Sequence, residues 1–521
     1  MDTEQLIKQF EQHSTKAIEY LSERSNLEKI GKITAISVAT FYTLNKCYDA
    51  FFGPLARLPG PFITRFMDLP KLVYDIPRGT MYQKLIALHE EFGETVRLGP
   101  RAVSISNKDM IKQALVTEDL VKAPIYDLFA RDGTYTLFST RDKVFHKQRR
   151  RIISPAFSIK YLNSLEPFMT SVTQTLLDKI GRDIQATQDQ EGYGVTDIWV
   201  LMQCLALDVI GETAFGKTFE MIEHNNHFVP GAITHEMKAA AFRAMFPMIQ
   251  RIFYPSASKT NPKLEGFLKE IINGRLQVQD GEKRKDILQS LIDSQQATNE
   301  DDRLTAEAIM TETVLFLIAG SETTSNTLGF VIIELLRHPD KLSKIYAEID
   351  AIPLEEGQKL FSHEQLKHLP YLNAVINETL RLDAVAAGGL QRITTRDTVL
   401  GGVLPLPKGI VVSSNVMGIQ TNSKHWHQPL TFKPERWIQD EHTVPNERDD
   451  LDAFIPFSLG SRNCIGKNFA LQEMRVALAC LLKYYDIQPI EAEMKDSIDV
   501  RHFITLTVKK TSFKIRVKHR N

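Results

Sequence analysis

The chain is 521 residues long, 43% hydrophobic and 24% charged, with a formal net charge of −1 at pH 7. A chain of this composition can bury a large apolar core, which excludes disorder as the default and leaves no global attraction for nucleic acid or acidic polymers. Its four cysteines, Cys47, Cys204, Cys464 and Cys480, lie far apart with no CxxC pair, which argues against a disulfide framework or a thiolate zinc site and for a reducing compartment.

Residues 1–30 are polar and charged, unlike a cleaved secretory signal. Within them Leu6, Phe10, Ala17 and Leu21 recur at near-heptad spacing. That pattern fits an amphipathic helix lying on a membrane or a partner, and equally a loose surface helix. The stretch from Ile33 to Leu55 is more apolar and reaches the length of a spanning helix, about 20 residues. Lys46 and Asp49 interrupt it, so it predicts a weak anchor, tilted or interfacial. Leu58-Pro59-Gly60-Pro61 reads as a stiff linker, because two prolines fix the backbone and remove donors. The expected organisation is an anchor region with its linker over 1–57 and one large globular domain over 58–521.

Thr95-Val96-Arg97-Leu98 and Val103-Ser104-Ile105, parted by Gly99-Pro100, predict a small hairpin. Most of the chain from there to about residue 380 reads as helix. From Leu304 to Arg337 apolar residues persist at helical spacing without proline, and His338-Pro339 ends the run. This predicts a single helix of roughly 50 Å at 1.5 Å per residue. Its middle, Phe316 to Gly320, is apolar on nearly all sides and is expected in the interior. After residue 390, Gly401-Gly402, Pro405, Pro407 and Lys408-Gly409 punctuate β-branched runs such as Ile410-Val411-Val412. The tail alternates through 504–508 and 513–517, which suggests a final hairpin. No repeat of 20–50 residues is present, and the fold class is mainly α with small β sheets.

The strongest chemical signal is Phe457-Ser458-Leu459-Gly460-Ser461-Arg462-Asn463-Cys464-Ile465-Gly466, followed by a helix from Lys467 to Tyr485. A cysteine just before a helix amino terminus meets free N–H groups and the positive end of the dipole, both of which favour thiolate. Gly460 and Gly466 permit a tight turn and close approach of a flat cofactor. Arg462 offers a fixed fork for a carboxylate. Read alone, Cys464 is as compatible with an inert buried cysteine, the reading that Cys204 and Cys480 keep. Three more patterns stand out. Glu378-Thr379-Leu380-Arg381 puts acid and base on one helical face, and Phe432-Lys433-Pro434-Glu435-Arg436-Trp437 follows it. Ala319-Gly320-Ser321-Glu322-Thr323-Thr324 sits inside the long helix, where Gly320 costs about 1 kcal/mol against alanine and so argues for a local opening or a close approach. Thr323 there is free to bond a backbone carbonyl or a water.

Together these segments resemble the cytochrome P-450 superfamily, in the family's order and over most of the chain from about residue 58. The decapeptide matches its FxxGxRxCxG haem loop at every fixed position. The resemblance implies one haem-binding domain carrying haem b (iron protoporphyrin IX), with Cys464 as axial iron ligand, Phe457, Gly460 and Gly466 shaping the loop, and Arg462 on a haem propionate. It implies a buried structural network of Glu378, Arg381 and Arg436, from the family's ExxR and PERF segments. It also implies a proton relay to dioxygen through Glu322 and Thr323, from the (A/G)Gx(D/E)T(T/S) segment. Phe145-His146-Lys147-Gln148-Arg149-Arg150 looks like the family's WxxxR helix, with His146 in the tryptophan position and Arg150 as the arginine; Arg392 matches a further propionate-binding arginine. Lys143, Lys147, Arg149 and Arg151 offer a basic patch for an acidic electron donor, although such a run is more often a solvated face. The sequence departs from the pattern after Arg381, where Asp383-Ala384-Val385-Ala386-Ala387-Gly388-Gly389 stands in place of the prolines of many relatives.

By resemblance the chain is a haem-thiolate monooxygenase that puts one oxygen atom of dioxygen into a lipophilic small molecule, of steroid, fatty-acyl or xenobiotic type. Only 57 residues (521 − 464) follow Cys464 and no GxGxxG fingerprint is present, so electrons are expected from NADPH through a separate flavoprotein reductase. The expected place is the endoplasmic reticulum membrane, with the catalytic domain facing the cytoplasm. Three rivals remain at this stage: a reductase-independent isomerase or dehydratase, a non-catalytic haem-binding protein, and a generic helical binding protein.

Overall fold

A computed structural model of the chain describes residues 5, 12–16, 24–68, 78–131, 133–224, 228–229, 231–233, 261–277, 286–438 and 449–520. The expected amphipathic helix of Leu6, Phe10, Ala17 and Leu21 lies outside the described residues. The chain divides into two compact units, Met1–Leu69 with Arg97–Ala102, and Pro70–Val96 with Val103–Asn521.

In the smaller unit, helix α1 (Arg24–Phe51) covers most of the stretch expected as an anchor. Ile33, Ile36, Val38, Phe41, Tyr42 and Leu44 are each more than 60% exposed, so this helix leaves its apolar side chains without protein cover. The expected linker is not a free spacer. Arg97 N donates to Pro59 O at 2.7 Å, and a Cβ on Gly60 would lie 2.6 Å from Arg97 O. The buried Arg97 guanidinium donates to the carbonyls of Leu55 (3.1 Å) and Gly99 (3.1 Å), which satisfies otherwise open backbone acceptors.

The larger unit is built from α2 (Met81–Phe92), α3 (Lys143–Ile153), α4 (Ile159–Thr187), α5 (Ile198–Ile210), α6 (Ala306–Arg337), α7 (Pro339–Asp350), α8 (Pro370–Leu382) and α9 (Lys467–Tyr484). Helix α6 is the long central helix the sequence predicts. Thr305 caps it by accepting from Ala308 N at 3.1 Å, and Arg337 in the last turn suits the negative end of the dipole. Helix α5 packs along it. A Cβ on Gly329 would lie 2.5 Å from the Trp199 ring, and one on Gly320 3.0 Å from Ile210 Cδ1, so the Gly320 anomaly marks a close approach. Among the described residues the one stretch long and apolar enough to cross a membrane is Ile198–Phe215, and 83% of it is buried inside the fold; it is a core element.

The strands are β1 (Thr95–Gly99), β2 (Ala102–Ile105), β3 (Val121–Lys122), β4 (Gly194–Asp197), β5 (Leu390–Ile393), β6 (Thr398–Leu400), β7 (Leu404–Leu406), β8 (Val411–Ser414), β9 (Tyr485–Pro489), β10 (Val500–His502), β11 (Leu506–Val508) and β12 (Lys514–His519). Within the larger unit β2, β8, β5 and β3 are successive neighbours in one sheet. Strands β6 and β7 form a hairpin with three residues between the paired Leu400 and Leu404, of which Gly401 and Gly402 both have positive φ (59° and 69°), as the two central residues of a primed turn require. The tail corrects the expected final hairpin: β11 pairs with β10, whereas β12 lies between β4 and β9. Ile515 and Val517 are fully buried in that three-stranded sheet. Alternation identified the buried face, and more distant strands supplied the partners.

Candidate active site

The loop before α9 turns sharply around Cys464. Gly460 has φ +74°, and a Cβ there would stand 2.1 Å from Leu115 O, so glycine is required at this point. Gly466 meets no such restriction from protein atoms. Its φ is −84° and an added Cβ would make only ordinary contacts, at 3.9 Å from Phe157 Cε1 and 4.0 Å from Cys464 Sγ. Cys464 N donates to Phe457 O at 2.9 Å, which closes the loop. The backbone N–H groups of Gly466 and Lys467 bond the Cys464 sulfur.

Burial is the largest influence on that thiol and raises its pKa; the Gly466 N–H, the Arg150 charge, the Lys467 N–H and the Lys467 charge act in the opposite direction. The helix terminus therefore opposes the burial penalty without overcoming it. Cys464 is exposed. Cys204 and Cys480 are buried, and burial pushes each up to about 12; both remain inert core cysteines.

Around this loop lies a buried group of cations. Lys122, Arg392 and Arg462 are all less than a tenth exposed, as is His146. Burial first, then Arg392 and Arg462, hold Lys122 well below the usual lysine range. Burial and the charges of Arg462, Lys122 and Arg150 bring His146 down to about 3, so its imidazole is neutral. Arg462 donates to the carbonyls of Thr140 (2.6 Å), Arg141 (3.3 Å) and Asp142 (3.1 Å). Arg392 donates to Gln391 O at 3.0 Å, and Lys122 to Phe138 O. Among the described residues none of Lys122, Arg392 and Arg462 forms an ion pair, and the nearby Asp119 carboxylate pairs with Lys143 at 3.0 Å. Gathering such charges away from water without an anion is costly, so the arrangement suits a ligand that carries its own negative charges. Sequence reasoning missed Lys122, a single lysine in a short strand with no motif around it.

Arg150, which the resemblance places toward a haem propionate, also reaches the cysteine loop: it donates to Ser461 O (3.0 Å), Asn463 O (2.9 Å) and Asn463 Oδ1 (2.6 Å). The expected basic patch is corrected. Arg149, one turn beyond His146, shares its buried face and points at Glu312 on α6, with Nε 3.4 Å from Oε1. Arg151 pairs with Asp302 and Lys143 with Asp119; Lys147 is exposed. Glu312, which sequence reasoning did not single out, also accepts Leu137 N–H at 2.8 Å.

On α6, Thr323 Oγ1 donates to Ala319 O at 2.8 Å, the back-bonding choice, and Thr327 Oγ1 in turn to Thr323 O. Burial raises the Glu322 carboxyl with no cation to oppose it, which favours its protonated form. Ala319 is exposed, and Ile318, Gly320, Glu322 and Thr323 beside it are half-buried, so this stretch of α6 is less covered by protein than the turns on either side.

The Glu378 carboxylate receives five donors. Arg381 Nη2 (2.8 Å), Arg436 Nε (3.0 Å) and Lys433 N (2.9 Å) meet Oε1, while Arg381 Nε (2.9 Å) and Trp437 Nε1 (3.0 Å) meet Oε2. Arg436 also binds Asp449 Oδ2 at 2.7 Å. Glu378, Arg381 and Arg436 are almost wholly buried. Trp437 and Asp449 are additional members; no local pattern marks Asp449, 71 residues from Glu378. A surface cavity of about 400 Å³ between 166–174 and 358–362 is lined by none of these residues.

A mainly helical fold with one accessible sulfur at a helix amino terminus and unpaired buried cations beside it defines a protein built for a flat, dianionic metal cofactor. An iron for the cysteine sulfur and two carboxylates for the cations are what haem brings to such a site, and the residues present fit it. The family model for cytochrome P-450 matches residues 58–517, and the chain belongs to that family. It is an oxidoreductase of the monooxygenase class, with haem as the family's cofactor. Relatives include the cytochrome P-450 monooxygenase LUC2 of Fusarium sp, 31% identical and aligned over 90% of both chains. The cytochrome P-450 monooxygenase acrD of Aspergillus aculeatus is 32% identical over 86% of this chain and 88% of its own. Tryprostatin B 6-hydroxylase of Aspergillus fumigatus is 30% identical over 86% and 77%.

Proposed function

We propose that this chain hydroxylates a lipophilic small molecule, with electrons from NADPH delivered by a separate flavoprotein reductase, at the endoplasmic reticulum membrane with its catalytic domain, residues 58–521, facing the cytoplasm. The observation that carries the reading is the accessible Cys464 sulfur beside the unpaired cations Lys122, Arg392 and Arg462. Hydroxylation is the reaction in the name of one relative. The uncovered apolar residues of α1 support membrane anchoring through residues 1–57, lying on or tilted into the bilayer.

Cys464 would hold the iron, and Arg462, Arg392, Lys122 and His146 would receive the propionates, while Arg150 stiffens the loop that presents the sulfur. Phe457 and Gly460 shape that loop. Bound haem supplies dioxygen activation, favoured by electron density from the thiolate. Burial holds the Glu322 carboxyl above the usual carboxylate range, and the Thr323 hydroxyl stands one residue on, where the two side chains would pass protons toward bound dioxygen. Glu378, Arg381 and Arg436 support the fold beside the cysteine loop and take no part in proton transfer.

The test is purified protein, reduced and treated with carbon monoxide, then supplied with NADPH and a microsomal flavoprotein reductase. A red-shifted Soret band and NADPH-dependent product from a lipophilic panel are expected. A haem bound through nitrogen, or turnover indifferent to NADPH, would overturn the reading.

A further inference from the structure

Glu312 is a buried carboxyl that leaves its own helix. Its neighbours Thr311 and Thr313 return their hydroxyls to Glu307 O (2.6 Å) and Ile309 O (2.7 Å) of α6. Glu312 instead reaches two other segments: Oε1 accepts the Leu137 backbone N–H at 2.8 Å and lies 3.4 Å from Arg149 Nε of α3. The other oxygen, Oε2, has no hydrogen-bond partner among the described residues, and neither does Arg149 Nη1. Burying a carboxyl with half its capacity unused is costly, so what it does bond merits a physical reason.

Leu137 belongs to a segment, 136–142, that forms neither helix nor strand. Irregular backbone has no ladder of its own, so its position is set by the groups that bond it. Here Thr136 and Ser139 tie the turn together: Thr136 N–H donates to Ser139 Oγ at 2.9 Å, and Ser139 N–H to Thr136 Oγ1 at 3.1 Å. The carbonyls then serve the buried cations. Phe138 O accepts from Lys122, and Thr140 O, Arg141 O and Asp142 O accept from Arg462. Arg141 Nε returns a bond to Lys122 O at 3.1 Å. The Asp142 carboxylate finally caps α3, accepting from Val144 N (2.7 Å) and Phe145 N (3.0 Å).

A guanidinium is a rigid fork, so the acceptors behind it decide where its remaining N–H groups point. Shifting this segment moves three Arg462 acceptors at once. We infer that Glu312 is a positioning residue for the cofactor: by holding Leu137 it fixes segment 136–142, and through the carbonyls of that segment it sets where Arg462 and Lys122 present their charges to the haem propionates.

This rests on the haem-thiolate reading, and the experiment separates the two. Parent, Glu312→Gln, Glu312→Leu, Glu312→Ala, Lys122→Met and the Glu312→Leu/Lys122→Met double variant are prepared as full chains with haem at pH 7. Burial raises the Glu312 carboxyl to about 7, so the neutral, accepting form that glutamine reproduces is present at that pH. Three readouts are taken: the rate of haem transfer to excess apomyoglobin, the propionate bending band in the resonance Raman spectrum, and the reduced carbon-monoxide spectrum. Loss of the Leu137 acceptor in the leucine and alanine variants should speed haem transfer about fivefold or more and move the propionate band to lower frequency. Glutamine, which keeps that acceptor, should stay within about twofold of parent with the band unmoved. The double variant should fall short of the product of its single effects, because both changes act on one set of carbonyls. Should leucine fail to load haem, alanine takes its place in every comparison. A propionate band unmoved in the leucine and alanine variants, or glutamine no better than alanine, with the thiolate spectrum intact, would overturn the Glu312 role alone. Absence of that spectrum from the parent would overturn the underlying reading as well.

Discussion

Arg150 grips Asn463, the residue before Cys464, through both its backbone oxygen at 2.9 Å and its side-chain oxygen at 2.6 Å. A guanidinium fork matches two acceptors in one plane, which an ammonium does not. The cysteine is thereby tied to α3 on one side while α9 holds it on the other. Arg150→Lys should load haem yet lose part of its red-shifted Soret band in the reduced carbon-monoxide spectrum, as the sulfur gains freedom to leave the iron. A spectrum as stable as the parent's over hours would show that the tie is dispensable.

Cys464→Ala should remove the thiolate spectrum and monooxygenation together, because it is the one cysteine in the glycine-bracketed loop: Cys204 and Cys480 are buried and Cys47 lies on α1. Retention of the red-shifted band in this variant would assign the ligand elsewhere.

Thr323→Ala removes only a hydroxyl whose bond, to Ala319 O, lies within its own helix. Helix and haem spectrum should survive, while product formed per NADPH falls about tenfold or more, the low end for loss of a positioned proton donor being larger still. Peroxide release should rise in step. Parent-like coupling would remove the proposed proton role from Thr323.

Glu378→Gln leaves Arg381 and Arg436 buried without their carboxylate. Breaking a buried pair on one side costs about 3–5 kcal/mol, and here two guanidiniums lose the same partner. Denaturant titration of the haem-loaded protein should show a loss at least of that order. A loss under about 1 kcal/mol would mean that Asp449 and the surrounding carbonyls satisfy both cations unaided.

Glu312 makes stability depend on pH. Burial outweighs the attraction of Arg149 and raises its carboxyl from 4.5 to about 7. Between those values the folded chain keeps a proton that the unfolded chain releases, so its contribution to stability falls as pH rises from about 4.5 to 7 and is level above. Glu312→Gln keeps an acceptor for Leu137 N–H and abolishes the slope. The stability of the variant relative to parent should therefore climb across that window, as read from unfolding temperatures at several pH values. A difference that does not vary with pH would put the Glu312 pKa near its ordinary value.

What could be read in the sequence was local. The breaker at Pro339, the acid–base pair of Glu378 and Arg381 and the glycine-bracketed loop of Cys464 all depend on residues within a few positions of one another. Their geometry follows from helical periodicity and turn chemistry. The tail was misread for the complementary reason: alternation in 513–517 announces a buried face but does not say which strand covers it. Arg149 was placed on the surface because a run of basic residues hides which of them turns inward.

The sequence by itself determined a mainly helical chain, a long central helix and a cysteine poised at a helix start, because short-range sterics and hydrogen bonding specify such elements. Only the tertiary structure decided that Lys122, Arg392 and Arg462, from three distant segments, share one buried site, that Asp449 completes the Glu378 network, and that Glu312 holds Leu137. Those relationships join residues up to 340 positions apart (462 − 122). No local preference encodes such contacts; they arise when packing of the whole core repays the entropy of closing the loops between them.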